Sequence, residues 1–233
     1  VKSTAVLFGD MDLFVGGNVI PGQYPLSPNS YLLRNDGGSF TDVTPQNQAL
    51  AQVGMVSEVK FSDYDGDGDP DLVVVGEWMQ PSFFENIDGA FDLAQVGGLE
   101  QTEGWWFSVE EGDFDNDGDR DLFIACGHLI DNVDQFDDTT SYLARNLLLM
   151  NDGQGRFVNM SDAGGDGLQP RLSSRGAGFD DLDNDGFADV VDSPLNGLGV
   201  ADIVDLIEPN ESTVLHDIAY GRDYSVTVKD DGK

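Results

Sequence analysis

The sequence is short of basic residues, cysteine and long apolar runs. It has 11 Lys and Arg against 44 Asp and Glu, which gives a formal net charge of −33. Nucleic acid is excluded as a partner, because phosphates need clustered cations to neutralise them. No apolar run approaches the roughly 18 residues of a membrane span, and the single cysteine, Cys126, excludes an internal disulfide. This charge favours a cation as partner.

The apolar content nevertheless predicts a folded chain with a core. Hydrophobic residues make up 39% of the sequence and include 14 Phe and 3 Trp. Disordered chains have few such residues, so global disorder is excluded. A length of 233 residues fits one large β domain or two small ones.

An acidic motif of the form D-x-D-x-D-G-x-x-D recurs along the chain. It reads DYDGDGDPD at residues 63–71, DFDNDGDRD at 113–121 and DLDNDGFAD at 181–189. Each copy is followed by apolar, β-rich residues, and residues 54–69 match 104–119 without a gap. The motif therefore belongs to a structural repeat.

A second element alternates with the acidic one. Segments 31–44, 83–94 and 147–161 each contain an apolar run, an Asn, a turn with Gly and then a Phe. Such a turn between apolar runs predicts a hairpin. One unit of 50–68 residues thus holds four short strands, and no helix is predicted. The sequence predicts an all-β, β-propeller-like array of four-stranded blades, with three full repeats and one partial repeat.

The acidic motif has the ligand pattern of a calcium loop. Positions 1, 3, 5 and 9 supply carboxylates, position 6 is a turn glycine, and position 7 offers a backbone carbonyl. Hard oxygen ligands in a flexible loop select Ca²⁺ over softer metals, so about three ions are expected. The predicted ligands are Asp63, Asp65, Asp67, Asp69 and Asp71; Asp113, Asp115, Asp117, Asp119 and Asp121; and Asp181, Asp183, Asp185, Phe187 and Asp189. An EF-hand is excluded for two reasons. It needs Glu at position 12, where these loops have Val74, Ile124 and Asp192, and it needs a helix on each side, where these loops have strand-like residues.

A half-copy of the motif opens the chain. GDMDLFVGG at residues 9–17 aligns with GDPDLVVVG at residues 68–76, and only Asp10 and Asp12 of the acidic positions survive. Positions 1, 3 and 5 are Thr4, Val6 and Phe8, which offer no carboxylate. No calcium is expected there.

These motifs resemble the FG-GAP/VCBS repeats of integrin-type β-propellers over roughly residues 5–195. The Asn-Gly-Phe element and the stretch SRGAGFDDLDNDG resemble the bacterial VCBS and cartilage-acidic-protein/UnbV-type subset. The resemblance implies a calcium loop between the first two strands of each blade. It implies little about biochemical role.

Two regions are predicted, propeller blades at 1–195 and a strand-rich tail at 196–233. Tyr224, Val226 and Val228 alternate with polar residues, as in a strand. The tail strand and the strand predicted at the start of the chain close the ring in one hypothesis. In the other they pair with a neighbouring subunit, which gives a filament.

Other candidate sites are weaker. Trp105 and Trp106 favour a propeller core, with a sugar-stacking platform as the alternative. Cys126 and His128 favour a buried thiol and a strand-end histidine over a catalytic pair. Asn159 and Asn210 begin glycosylation sequons.

The sequence therefore indicates an extracellular or cell-surface calcium-binding protein without catalytic activity. Its expected work is adhesion, surface structure or assembly, with calcium and a protein or glycan of the cell surface or matrix as partners. The alternatives are a filament subunit that self-assembles and a carbohydrate-binding or carbohydrate-active module.

Overall fold

The described part of the chain forms four antiparallel groups of four strands, in sequence order. The computed structural model describes residues 2–9, 12–97, 99, 104–138, 140–182, 184, 186–194, 200–205 and 216–219. The strands are β1 (Lys2–Gly9), β2 (Asp12–Val19), β3 (Tyr31–Asn35), β4 (Phe40–Asp42), β5 (Met55–Ser62), β6 (Asp71–Met79), β7 (Ser82–Ile87), β8 (Ala90–Leu93), β9 (Gly104–Gly112), β10 (Asp121–Cys126), β11 (Leu147–Asn151), β12 (Phe157–Asn159), β13 (Ser174–Asp180), β14 (Asp189–Pro194), β15 (Val200–Asp205) and β16 (His216–Ala219). Each group of four consecutive strands pairs in order. The prediction of an all-β, propeller-like array is confirmed.

Each acidic loop connects the first two strands of its sheet. Pairing ends at Ser62 with Asp71, at Gly112 with Asp121 and at Asp180 with Asp189. In the first sheet the equivalent pair is Gly9 with Asp12. The three long loops and the short first connection therefore leave their sheets at the same register position.

The apolar cores lie between successive sheets, as in a propeller. In β6, Leu72 and Val74 pack into the core shared with the first sheet, whereas Val73 and Val75 pack into the core shared with the third. Side chains alternate across a strand, so a strand covered on both faces must be apolar throughout. This explains the uninterrupted apolar runs at residues 72–75 and 122–125, after the first two acidic loops. The innermost strands β1, β5, β9 and β13 contact one another in sequence.

The second and third sheets are joined edge to edge. Glu77 and Met79 of β6 pair with Trp105 and Gly104 of β9. The eight strands therefore form one continuous sheet. Trp78 lies at this junction and has a φ of 57°, a left-handed conformation that bulky residues rarely adopt.

Three features were not predicted. The first sheet has four strands although its acidic motif is incomplete. A one-turn helix, α1 (Gln48–Ala51), lies between the first two sheets, where no helix was expected. Within the predicted tail, β15 and β16 pair next to β14. Residues 220–233, which contain the predicted tail strand, lie outside the described residues, so ring closure and intermolecular pairing stay predictions.

Candidate metal centre

The backbone of each acidic loop turns at motif positions 4 and 6. Both positions have a positive φ in all three loops, which Gly and Asn tolerate better than other residues. The angles are 76° at Gly66, 61° at Asn116 and 63° at Asn184 for position 4, and 96° at Gly68, 98° at Gly118 and 96° at Gly186 for position 6. The role of position 4 was not predicted, although its Gly-Asn-Asn variation across the copies is the signal for it.

The carboxylate at position 1 fastens each loop. It accepts a hydrogen bond from the position-6 N–H, at 3.2 Å for Asp63, 3.1 Å for Asp113 and 3.1 Å for Asp181. In the first two loops, position 3 accepts the N–H of position 5, and position 5 accepts that of position 7. These bonds curl the loop so that its carboxylates face a common centre.

The structure brings together three carboxylates in each of the first two loops. Oxygens of Asp63, Asp65 and Asp71 lie within 4.8 Å of one another, and so do those of Asp113, Asp115 and Asp117. These two groups do not include Asp67, Asp69, Asp119 or Asp121. In the third loop Asp181, Phe187 and Asp189 are described, whereas Asp183 and Asp185 lie outside the described residues.

One carboxylate oxygen in each gathered group is buried without a hydrogen-bond partner. These atoms are Asp71 Oδ2 and Asp113 Oδ1. An unpaired buried carboxylate oxygen is costly unless a cation or donor satisfies it. The residues present therefore fit a bound cation with oxygen ligands.

The electrostatics of the first loop also fit a cation. Burial raises the pKa of the Asp71 carboxyl to about 7, and the nearby Asp65, Asp67 and Asp63 raise it further against the opposing Asn86 N–H. Burial likewise raises the pKa of Asp121 to about 6. A divalent ion among these groups would favour their ionised forms, because opposite charge offsets desolvation.

The aspartate at position 9 has a structural role that the sequence did not reveal. One of its oxygens accepts the backbone N–H of the hairpin Asn in the same sheet. The distance is 2.8 Å in the pairs Asp12–Asn35, Asp71–Asn86 and Asp121–Asn151. This bond, which we call the hairpin staple, explains why Asp12 survives in the half-copy. The presence of Asn35 in the same unit was the available signal.

The second oxygen of position 9 differs between loops. Asp121 Oδ2 accepts the Phe114 N–H at 2.9 Å, and Asp189 Oδ2 accepts the Leu182 N–H at 2.8 Å. Asp71 Oδ2 has no such partner. Asp71 can therefore act as both staple and ligand, whereas both oxygens of Asp121 are already engaged by the protein.

The staple in the first sheet can be tested without a metal site nearby. Asp12→Ala removes the acceptor of the Asn35 N–H and is expected to lower the free energy of unfolding by about 1–2 kcal/mol, since hydrogen bonds to charged groups contribute about 1.5–3 kcal/mol and this one is only part-buried. Urea denaturation in EDTA measures the change. Calcium stoichiometry should not change, and a lost calcium equivalent would contradict the purely structural role.

The first two loops are anchored by aromatic packing, and the first is also bonded to the next sheet. Tyr64, at position 2, packs edge-on against Phe83 with ring centroids 5.2 Å apart, and Phe114 packs on Phe179 at 5.6 Å. Asn151 Nδ2 donates to the Tyr64 carbonyl of the preceding sheet at 2.6 Å. A change in the conformation of the first acidic loop therefore alters its contacts with the adjacent sheet.

A comparison with protein families matches this architecture. The family model described as an FG-GAP-like repeat matches residues 9–74 and again 63–124. The chain belongs to the FG-GAP repeat family. FG-GAP repeats often bind Ca²⁺, are typical of extracellular or cell-surface proteins and are generally non-catalytic. No curated protein matches this FG-GAP chain.

The sequon residue Asn159 is exposed at the end of β12, and Asn210 lies outside the described residues. The aromatic and thiol candidates of the FG-GAP chain are buried. Trp105 and Trp106 are 3% and 5% exposed, and the Trp106 indole donates to the Met79 carbonyl. Neither indole presents an open face to a sugar. The Cys126 thiol is buried and donates to the Ile124 carbonyl, and burial raises its pKa. Among the described residues, no helix has the length and apolarity of a membrane span.

Proposed function

We propose that this FG-GAP chain is an extracellular or cell-surface module that calcium stabilises, and that it acts in adhesion, surface structure or assembly rather than in catalysis. The observation that supports calcium most directly is the pair of buried, unpartnered oxygens, Asp71 Oδ2 and Asp113 Oδ1, each within a gathered carboxylate group. Oxygen-only ligands at this spacing suit a hard divalent cation.

Calcium supplies positive charge at the loop centre, and the chain's own residues do the rest. Asp63 and Asp113 hold the turn through their position-6 N–H groups. Asp71 and Asp121 connect the loop to the hairpin of its sheet. With the repulsion between aspartates removed, this edge of the sheets becomes a rigid surface that can present loops to a protein or glycan partner.

Isothermal titration calorimetry with calcium tests the metal assignment. The expected result is binding of about three equivalents with weaker binding of Mg²⁺, because Mg²⁺ demands tighter octahedral geometry. The double variant Asp63→Ala/Asp113→Ala should lose two equivalents. Asp92→Asn, which changes an exposed aspartate on β8, is the matched control and should retain all of them. Equal binding by the double variant and the control would refute the assignment.

The adhesive role needs a separate measurement. Beads coated with the chain should adhere to cells or matrix in calcium and detach in EDTA. Beads coated with the double variant should adhere less than beads coated with Asp92→Asn at equal density. Adhesion that is the same with and without calcium, and the same for the double variant and the control, would refute the adhesive role and leave calcium binding standing.

A further inference from the structure

A group of aromatic and cationic side chains lies at the end of the sheets opposite the acidic loops. It consists of Trp78, Trp105, Phe107, His128 and Arg175, here called the aromatic–arginine cluster. The loops join β9 to β10 at Gly112 and Asp121, whereas Trp105 and Phe107 lie near the start of β9 and His128 follows the end of β10. The cluster is therefore remote from the candidate metal centre.

The members of the cluster are in mutual contact. The ring centroids of Trp105 and His128 are 3.8 Å apart, and Trp78 lies 5.2 Å from Trp105 and 5.7 Å from His128. Arg175 Cζ stands 4.2 Å above the Phe107 ring. Arg175 Nη2 donates to the His128 carbonyl at 2.8 Å. The Arg175 cation thus lies against the Phe107 ring and is bonded to His128, which packs on the two tryptophans.

Three nitrogens of the cluster have no hydrogen-bond partner although they are buried. They are Trp105 Nε1, His128 Nε2 and Arg175 Nε. His128 Nδ1 accepts the Ile130 N–H at 2.9 Å, so a neutral ring carries its proton on Nε2. All three unmatched atoms are therefore donors. Native structures rarely leave buried donors unpaired, so this concentration points to an acceptor that binds from outside the chain.

Arg175 also lacks an anionic partner. No carboxylate of the described residues lies within 4.0 Å of its guanidinium. Arg156 and Arg171 also lack one but are exposed to water, whereas Arg175 is half-buried. Burial lowers the pKa of His128, and the nearby Asp137 and Asp134 oppose this shift. In a chain with 44 acidic residues, an arginine that is held by two backbone carbonyls and no carboxylate is available to a foreign anion.

An exposed aromatic surface borders these donors. Trp78 is 44% exposed, and its φ of 57° is a strained conformation for an aromatic residue. Its indole donates to the Tyr24 hydroxyl at 2.6 Å, which fixes a second exposed ring beside it. Strain of this kind persists where the surroundings enforce it and is frequent at ligand clamps. Leu129 and Ile130, next to His128, are also exposed.

We propose that the aromatic–arginine cluster binds a segment of a protein partner that carries one carboxylate between apolar residues, with the carboxylate at the Arg175 guanidinium and the apolar residues against Trp78 and Tyr24. A carboxylate is an acceptor-only group that matches the planar fork of arginine. A phosphate dianion is disfavoured because the net charge of −33 repels it more strongly. Sugar hydroxyls need acceptors as well as donors, and the unmatched atoms are donors alone. This inference rests on the proposed binding role and names the chemistry of the partner.

Tryptophan fluorescence reads this site directly, since two of the three tryptophans belong to the cluster and the third, Trp106, follows Trp105. The probe is a blocked tripeptide with aspartate between leucine and phenylalanine, titrated into the full chain in saturating calcium. Its asparagine counterpart should bind at least about tenfold more weakly, because the charge-assisted bonds are lost. Arg175→Gln should weaken binding of the aspartate peptide by a similar factor. Arg156→Gln, which removes an exposed arginine elsewhere, should leave it unchanged.

A second variant guards against loss of folding in Arg175→Gln. Trp78→Gly removes the exposed ring and places at this position a residue that adopts a positive φ without strain. It should also weaken binding of the aspartate peptide, and the Trp105 emission still reports that binding. Equal binding of the aspartate and asparagine peptides would overturn the proposal. So would insensitivity to both variants, or tighter binding of glucuronate or inorganic phosphate than of the peptide. Because calcium is measured by calorimetry at the loops, either proposal can fail without the other.

Discussion

Transfer from saturating calcium to EDTA is expected to lower the midpoint of thermal unfolding by at least about 10 °C. Calcium at about 100 times its dissociation constant contributes about 2.7 kcal/mol for each site that only the folded chain forms. The two gathered groups then contribute about 5 kcal/mol together, and about 1 kcal/mol shifts the midpoint by about 2–4 °C in a domain of this size. Calorimetry or circular dichroism measures the shift.

The control for this experiment is magnesium at the same concentration, which should restore less of the lost stability. The Asp63→Ala/Asp113→Ala variant should melt at similar temperatures in calcium and in EDTA, apart from a contribution of the third loop. A wild-type melt that EDTA leaves unchanged would remove calcium from the stability of this fold.

The second large effect is a contrast between two aspartates at the same motif position. Asp71→Asn can keep the staple to the Asn86 N–H through its amide oxygen while an amide nitrogen replaces the unpartnered Oδ2. Calcium affinity of this loop should fall at least about tenfold, since a charged ligand is lost, and stability in EDTA should change by no more than about 1 kcal/mol. Removal of a buried, unpaired charge offsets the cost of the new amide.

Asp121→Asn should behave in the opposite way. Both oxygens of Asp121 accept backbone N–H groups, from Asn151 and Phe114, so an amide nitrogen must face one of these donors. The expected loss is about 2–3 kcal/mol in calcium and in EDTA alike. Urea denaturation in both buffers compares the two variants. If both variants lose the same stability in EDTA, the distinction between staple and ligand is wrong.

Local patterns carried most of the fold prediction. The repeat unit, the hairpins and the turn glycines are encoded within short segments. The strands of one unit could therefore be predicted from residues 54–94, and those of the other units from the matching segments. The apolar run at residues 72–75 predicted a buried strand. It could not predict that alternate residues of this strand pack against different sheets. The four-stranded first sheet was underestimated because its acidic motif is cut short.

The candidate site was predictable in composition and not in detail. All the proposed carboxylates follow from the motif, but the gathered set in the first loop includes Asp71 and that in the second includes Asp117 instead. That difference follows the second oxygen of position 9, which accepts the Phe114 N–H of its own loop in Asp121 and has no partner in Asp71. The motif letters do not encode it. The aromatic–arginine cluster escaped prediction because Trp78, His128 and Arg175 meet only after three sheets have formed.

The hairpin staple makes the connection between the first two strands an exchangeable part. Gly9–Asp12, Ser62–Asp71, Gly112–Asp121 and Asp180–Asp189 are equivalent end pairs, although the first closes over two residues and the others over a whole acidic loop. Strand pairing holds the register in all four sheets, and the staple adds to it in the first three, so the connection can vary in length without disturbing either. A blade can thus lose or acquire a metal-binding loop at this connection. A calcium loop inserted between Gly9 and Asp12 would add a metal-responsive element to the first sheet without changing its strand pairing.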